Sequence, residues 1–430
     1  MSREPESISS PPPVAAQTPK PPPFDPDALP LHDAKARIAE LVKPLHDAER
    51  VPLDQARGRI LARDLLSGLD VPAHDNAAMD GYSLAATDLA PQGDTWLNIV
   101  GQALAGRAFE GVPAAGQAVR VMTGAVMPAG HDTVVAQEFV ITDGQRVRIP
   151  HGQQAGQNLR LKGEDLRSGS PALAAGQRLG AAECGLIASL GIDEVFVIRK
   201  LRVAILSTGD ELCPPGQPLP QGMIYDSNRS TLRALLEAMG VELIDMGIVR
   251  DNPDSLEQTI VAASRSADAI ISSAGVSVGE ADHTRAVMQR LGQVDFWKIA
   301  MRPGRPLAFG RIGNALYFGL PGNPVAVMVT FLFLVRDALT TLAGGQPSPP
   351  TVLRARAAAP IRKRAGRTEY QRAMLSLDHD GMPLVTLMEN QGSAVLSSMS
   401  RADCLVVLEH QSESVPKGGW VNCIPMRSLC

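Results

Sequence analysis

Apolar positions along the chain change their spacing twice. Between Val71 and about Pro150 they alternate in short runs, "TWLNIVGQAL", "QAVRVMTGAV", "DTVVAQEFV" and "RVRIP", split by glycine and proline. That pattern predicts a small β-rich domain over 71–150. From Lys200 the runs take turns between two periods. "LRVAILSTG", "VELIDMGIV", "ADAIISSAG", "DFWKIA" and "ALYFGLPG" read as strands, while "TLRALLEAMG", "DSLEQTIVAASRS" and "HTRAVMQRLG" read as helices. Strands alternating with helices predict parallel pairing and a doubly wound α/β sheet over 200–345. After "GGQPSPP" (Gly344 to Pro350), short strands return: "TVLRARAA", "QRAMLSL", "PLVTL", "CLVVL" and "WVNCIP". They predict a C-terminal β-barrel-like domain over 346–430.

Helical spacing covers Ala34 to Val42 and Leu53 to Leu65, and around Gly169 to Gly191 a helix "AAECGLIASLG" precedes a strand "EVFVI". These segments predict a discontinuous helical linking or dimerisation domain from 31–70 and 151–199. Residues 1–30 are rich in proline and serine and poor in large apolar side chains, which predicts a disordered tail. The longest apolar run, "PVAVMVTFLFLV" (Pro324 to Val335), is too short to span a bilayer and reads as a buried helix.

Composition narrows the function. The net charge is −4, from 41 basic and 45 acidic residues, so no global basic field points to nucleic acid and any anion site is local. Five scattered cysteines without a CxxC pair fit a reduced, cytoplasmic protein, neither a disulfide framework nor a zinc ribbon. With no signal segment expected, neither a membrane nor a nucleic-acid partner is expected.

Ligands of open α/β sheets sit beyond the carboxyl ends of the strands. Here the strand ends carry "STGDEL" with Ser207, Thr208, Gly209 and Glu211, then "VRDNP" with Asp251. Next comes the loop "SSAGVSVGEAD", with Ser272, Ser273, Gly275, Ser277 and Gly279 followed by Asp282. "KIAMRPGRP" supplies Lys298, Arg302 and Arg305, and "GLPGNP" supplies Gly322, Asn323 and Pro324. Each has a plain structural reading: Asp282 as a helix cap, Asn323-Pro324 as a helix start, Asp251 as a turn. Their convergence is more informative. Acids and bases around glycine loops suggest Mg²⁺ shared with a phosphorylated ligand. Apart from these, "MDGY" around Asp80 reads as a hairpin turn, and Thr123 as a turn hydroxyl in "RVMTGAV".

These motifs, with "DNAAMDGYS", "NLRLKGEDL", "YDSNR", "EYQRA" and "QGSAVLSS", resemble the MoeA and gephyrin E-domain family of molybdenum-insertion enzymes from about Leu31 onward. The resemblance implies a homodimer of four-domain subunits with its site shared between copies. It implies that adenylylated molybdopterin and molybdate give molybdenum cofactor and AMP, with Mg²⁺. By resemblance Asp80, Thr123, Glu211, Asp251 and Asp282 are catalytic, and metal ligation falls to Glu211, Asp251, Asp282 and Asp80. Lys298, Pro321, Pro324, Arg372 and Ser393 join the substrate contacts. An adenylyltransferase and molybdoenzyme acceptors are the implied partners. The family often has glycine where Ala274 stands and lysine where Arg302 and Arg305 stand. Two rival readings share these residues: a molybdopterin adenylyltransferase, and a non-catalytic gephyrin-like scaffold.

Overall fold

The computed structural model describes residues 27–274 and 281–429, with the side chains of 281–284 outside that description. The chain folds as two compact units. One comprises residues up to Lys43, Leu201–Leu339 and Pro347 onward, and the other comprises Pro44–Lys200 with Thr340–Gln346.

The first unit is built on a six-stranded sheet. Its spatial order is Glu242–Val249, Arg202–Thr208, Ala269–Ser273, Ala315–Leu320, Pro306–Ile312, Gly292–Lys298. The first four strands are parallel. Pro306–Ile312 runs antiparallel to both of its neighbours, so Gly292–Lys298 points the same way as the first four. The sheet is therefore mixed rather than purely parallel. The reversed strand was not among the sequence expectations. It forms a tight hairpin with Ala315–Leu320 in which Ile312 faces Ala315 across Gly313 and Asn314, with Gly313 at φ 57°.

Helices Pro253–Ser266 and Ala281–Leu291 enclose an apolar core with the sheet, around Leu206, Ile260, Ile270, Met288 and Val294. Alternation along each strand places every second residue on this face. Helix starts follow local chemistry. Asp226 accepts from the Arg229 N–H at 3.1 Å to cap Ser227–Ala238. Asn252 accepts from the Asp254 and Ser255 N–H groups, both at 3.0 Å, ahead of Pro253.

The apolar helix runs further than its most apolar stretch. Pro324–Thr330 continues through a π-helical turn, Phe331–Val335, into Arg336–Leu342, giving 19 helical residues. That is long enough to cross a membrane, so length no longer argues against it. Burial does: Val325, Val329, Phe331, Leu334 and Leu339 are all core residues of the unit.

The five predicted C-terminal strands form Leu353–Ala357, Thr368–Leu377, Pro383–Leu387, Cys404–Leu408 and Trp420–Pro425. The pairing of Thr368–Leu377 with Cys404–Leu408 closes them into a barrel, so the strands leave no free edge. Met301–Arg302 adds to Thr368–Glu369 from the central domain.

In the second unit a six-stranded sheet runs Thr133–Ala136, Gly81–Leu84, Gln117–Val121, Thr95–Ala103, Arg146–Ile149, Ile141–Thr142. Val119, Val121 and Val134 pack on one face, while Tyr82, Leu84, Val135 and Val147 pack on the other. Ala48–Pro52 pairs with Glu194–Ile198, and Leu65–Leu66 with Pro171–Leu173, around a core of Val51, Leu61, Ile187 and Val197. The helix expected over Leu53 to Leu65 does not form. A single turn, Leu53–Gln55, is followed by Gly58 at φ 81°, and Ile60 and Leu61 bridge to Arg178 and Val197 as extended chain. The other early helix, Leu31–Leu41, forms, but in the first unit.

Candidate functional site

The central sheet brings the predicted strand ends to one edge. Thr208 lies opposite Val249, Ser207 opposite Ser273, and Ser273 opposite Leu320. Lys298 lies opposite Pro306, so the reversed strand begins where the others end. Beyond this common edge lie Glu211, Asp251, Ala274, Pro321 to Asn323, and the segment from Lys298 to Arg305.

At the acidic end, two loops are tied together. The Gly209 N–H donates to the Val249 carbonyl at 3.3 Å, and Arg250 donates to the Asp210 carbonyl at 2.8 Å. The Asp251 N–H donates to Asp210 Oδ1 at 3.3 Å. Glu211 and Asp251 are both exposed beside these ties. Gly209 has φ 144°, and a Cβ there would lie 2.5–2.8 Å from the Glu211 carboxylate atoms. Only a residue without a side chain leaves Glu211 its place.

The serines and threonine of the strand ends lie deeper than the acids. Ser207, Thr208, Ser272 and Ser273 are all buried. Ser207 Oγ lies 3.0 Å from Ser273 Oγ, the Thr208 hydroxyl donates to the Ser273 carbonyl at 3.5 Å, and Ser272 Oγ lies 2.6 Å from the Tyr317 hydroxyl. Burial pushes the Tyr317 phenol up to about 12, against a smaller lowering by Ser272, so it stays protonated. These groups form a hydroxyl layer inside the sheet, beneath the edge. Above it Ala274 takes φ 72°, and its N–H donates to the Leu320 carbonyl at 3.1 Å. Gly275, Ser277 and Gly279 lie outside the described residues, as does the Asp282 side chain; its backbone is in the helix Ala281–Leu291.

Pro321 is buried, whereas Gly322 and Asn323 are exposed. Asn323 occupies the cap position of its helix, but its side chain does not cap. The amide instead donates to Ser393 Oγ at 2.9 Å, and the Ser393 carbonyl accepts the Val325 N–H at 3.0 Å. Pro324, the first helical residue, has no N–H to satisfy there. Ser393 thus joins the edge from the barrel.

Arg372 does not present a free guanidinium. The residue is 1% exposed, and its side chain donates to Ser398 Oγ at 3.0 Å and to the carbonyls of Asn390 and Gly392 at 3.2 and 2.9 Å. Burial, with Arg302 nearby, lowers its pKa from the usual arginine value. The donors fix the turn that carries Ser393. Lys298, Arg302 and Arg305 are exposed at the basic end, with Arg302 Nη1 3.9 Å from the buried Glu369 carboxylate.

Asp80 and Thr123 lie in the second unit and meet there. The Thr123 N–H and hydroxyl both donate to Asp80 Oδ1, at 2.7 and 2.8 Å. These bonds, the backbone one foremost, hold the Asp80 carboxyl below the usual range, with Arg120 adding to the effect. The "DG" pair is not a hairpin turn. Gly81 opens the strand Gly81–Leu84, and a Cβ there would run into the Val135 carbonyl oxygen of the neighbouring strand.

Among the described residues, the one group of three metal-type side chains with mutually close ligand atoms is Asp378, His379 and Asp380, on a barrel hairpin. Glu211 and Asp251 form no such cage. Mg²⁺ keeps several waters and takes one or two carboxylates plus ligand phosphates, so a pair of exposed acids fits its chemistry without one. Sequence reasoning missed Asp210, Asn228 and Tyr317. Asp210 and Asn228 stand inside quoted motifs, whereas Tyr317 lies in an apolar strand and gives no signal.

Three family models match in succession: the MoeA N-terminal region, domains I and II, over 29–191; a probable molybdopterin binding domain over 204–341; and the MoeA C-terminal region, domain IV, over 354–426. A molybdopterin molybdenumtransferase of Haemophilus influenzae is 40% identical over 93% of this chain and 99% of its own length. Molybdopterin molybdenumtransferase 1 of Mycobacterium tuberculosis is 31% identical over 87% of this chain and 93% of its own. The crystal structure of the molybdopterin biosynthesis MoeA protein from Pyrococcus horikoshii superposes with a TM-score of 0.79, at 26% identity, over 92% of this chain and 99% of that one. The chain belongs to the MoeA family of enzymes, the molybdopterin molybdenumtransferases.

Proposed function

We propose that the chain inserts molybdenum from molybdate into adenylylated molybdopterin and releases AMP, in a reaction that uses Mg²⁺. One observation carries the reading: acids and bases occupy opposite ends of a single sheet edge, with the end of the strand Ala269–Ser273 between them. Glu211 follows the second strand in spatial order and Lys298 the sixth. Four strand spacings, roughly 19 Å, separate the two ends. That span suits an elongated ligand with two anionic parts better than a single small ion.

In this reading some of Glu211, Asp251, Asp282 and Asp80 would hold the cation beside the ligand's phosphoanhydride. Mg²⁺ bound there supplies charge neutralisation for the phosphoryl oxygens. The loop after Ser273 offers backbone N–H groups to phosphate. Lys298, Arg302 and Arg305 attract molybdate and the pterin-side oxyanion. Ser393 and Asn323 border that end through their shared hydrogen bond. Arg372 acts on Ser393 from beneath, through the carbonyls that it holds. The buried hydroxyls of Ser207, Thr208, Ser272 and Ser273 support the edge rather than touch ligand. The reading extends to a cytoplasmic homodimer in which Asp80 and Thr123 serve the site of a second copy.

The test is AMP release from adenylylated molybdopterin with molybdate and Mg²⁺. Glu211→Ala and Asp282→Ala should each abolish it while leaving the fold intact. Wild-type turnover in both variants would sink the assignment. ATP consumption without AMP release from the adenylylated pterin would instead favour the adenylyltransferase reading. Mixing inactive Asp80→Asn and Glu211→Ala proteins should restore part of the activity if the site is shared between copies.

A further inference from the structure

Asn228 lies in the first turn of the helix Ser227–Ala238, two residues after the Asp226 cap. Its side chain is 9% exposed. The amide nitrogen donates to the Gly322 carbonyl at 2.7 Å, while Oδ1 is buried and has no hydrogen-bond partner among the described residues. A residue placed here for stability alone would be apolar, because an unpaired buried amide oxygen is costly. Local breaches of that rule gather at functional sites.

The bond has a definite geometric effect. Gly322 is the exposed middle of the Pro321 to Asn323 turn, between a buried proline and an amide bonded to Ser393. A Cβ at Gly322 would lie 3.6 Å from the Ala274 methyl, so the turn packs against Ala274. The helix bearing Asn228 is itself anchored. Arg229 bonds Asp226 at 3.1 Å and Asp245 at 2.9 Å. Thus Asn228 ties a rigid helix start to the turn between the two halves of the edge.

We propose that Asn228 is a positioning residue of this site: its amide fixes the Pro321 to Asn323 turn against Ala274, just past the strand Ala269–Ser273. The proposal rests on the functional reading above only for its kinetic consequence. Its structural part is read without substrate, by hydrogen exchange of the free protein. Asn228→Ala should speed amide exchange in residues 319–327 at least tenfold, with melting temperature and exchange elsewhere unchanged. In the AMP-release assay the same variant should raise the KM for molybdate at least fivefold, with a smaller change in kcat. Asn228→Asp keeps the volume but replaces the donor with a second acceptor oxygen facing the Gly322 carbonyl, so it should speed exchange in 319–327 and raise KM as Asn228→Ala does. Should Asn228→Ala fail to fold, Asn228→Asp carries the test alone. Unchanged exchange in 319–327, or an aspartate variant with wild-type exchange and KM, would overturn the proposal. A uniform rise in exchange with a lowered melting temperature would mark a merely structural residue and also overturn it. A wild-type protein that releases no AMP would refute the functional reading while leaving the exchange result to decide the tether.

Discussion

Thr123 closes on Asp80 with two donors, its backbone N–H and its hydroxyl, both on Oδ1. The two residues are 43 positions apart; spacing alone gave each a turn reading, and only the family resemblance gave them a catalytic role. Among the described residues both hydrogen bonds fall on Oδ1 and none on Oδ2, and they keep the carboxyl ionised. An asparagine carbonyl can accept both donors in the same place. Asp80→Asn should therefore melt within about 2 °C of the parent, in line with a surface change of small cost, yet lose AMP release. Thr123→Val keeps the backbone donor and removes the hydroxyl. The Asp80 pKa should then rise part of the way to the ordinary aspartate value, as read by NMR titration of the carboxyl carbon.

Gly209 makes a second prediction. Its φ of 144° excludes ordinary side chains, and a methyl group there meets the Glu211 carboxylate. Gly209→Ala should cost about 1–2 kcal/mol in stability from backbone strain, and it should displace Glu211. Denaturant titration measures the first effect. The second should appear as a tenfold or greater loss of AMP release that added Mg²⁺ partly restores.

Arg372 should behave as a stabilising residue as well as an active-site support. Removing a 1%-exposed guanidinium strands the carbonyls of Asn390 and Gly392. Arg372→Ala should destabilise by roughly 2–4 kcal/mol, measured by chemical denaturation. Ser393→Ala should leave stability within about 1 kcal/mol and weaken molybdate use.

The ion-pair cluster behind the acidic end sets an acid limb. Partial burial raises the Asp245 pKa, but bonds from Arg229 and the Gly247 N–H outweigh it, with Arg233 adding to them, and the net shift is downward. A depressed carboxyl contributes stability that is complete above its unfolded value, about 3.9, and is lost as pH falls through the lower folded value. Melting temperature should therefore drop below about pH 4. Arg229→Met should flatten that part of the profile, which scanning calorimetry between pH 3 and 6 would register.

Much of the first unit was legible because apolar runs at period 2 and period 3.6 alternate cleanly there. The barrel strands stood out for the same reason. The reversed strand Pro306–Ile312 was missed although Gly313-Asn314 between two apolar runs is a hairpin signal. Other features had no local signal. Gly81 is required by the carbonyl of Val135 on a neighbouring strand, and the fate of the Asn323 amide depends on Ser393. Nor does the spacing of charges show that Arg372 is buried while Lys298 is exposed. Strand ends can be listed from sequence; which side chains face outward from them depends on contacts between distant segments.

The bond between Asn323 and Ser393 also bears on how the polypeptide acquires its shape during synthesis. The opening turn of the long apolar helix receives its finishing contacts from a segment made 70 residues later. A nascent chain that has extended only past the helix must hold that turn ajar, so ribosome-bound fragments ending before Ser393 should be cut by protease near Gly322, and longer ones should resist.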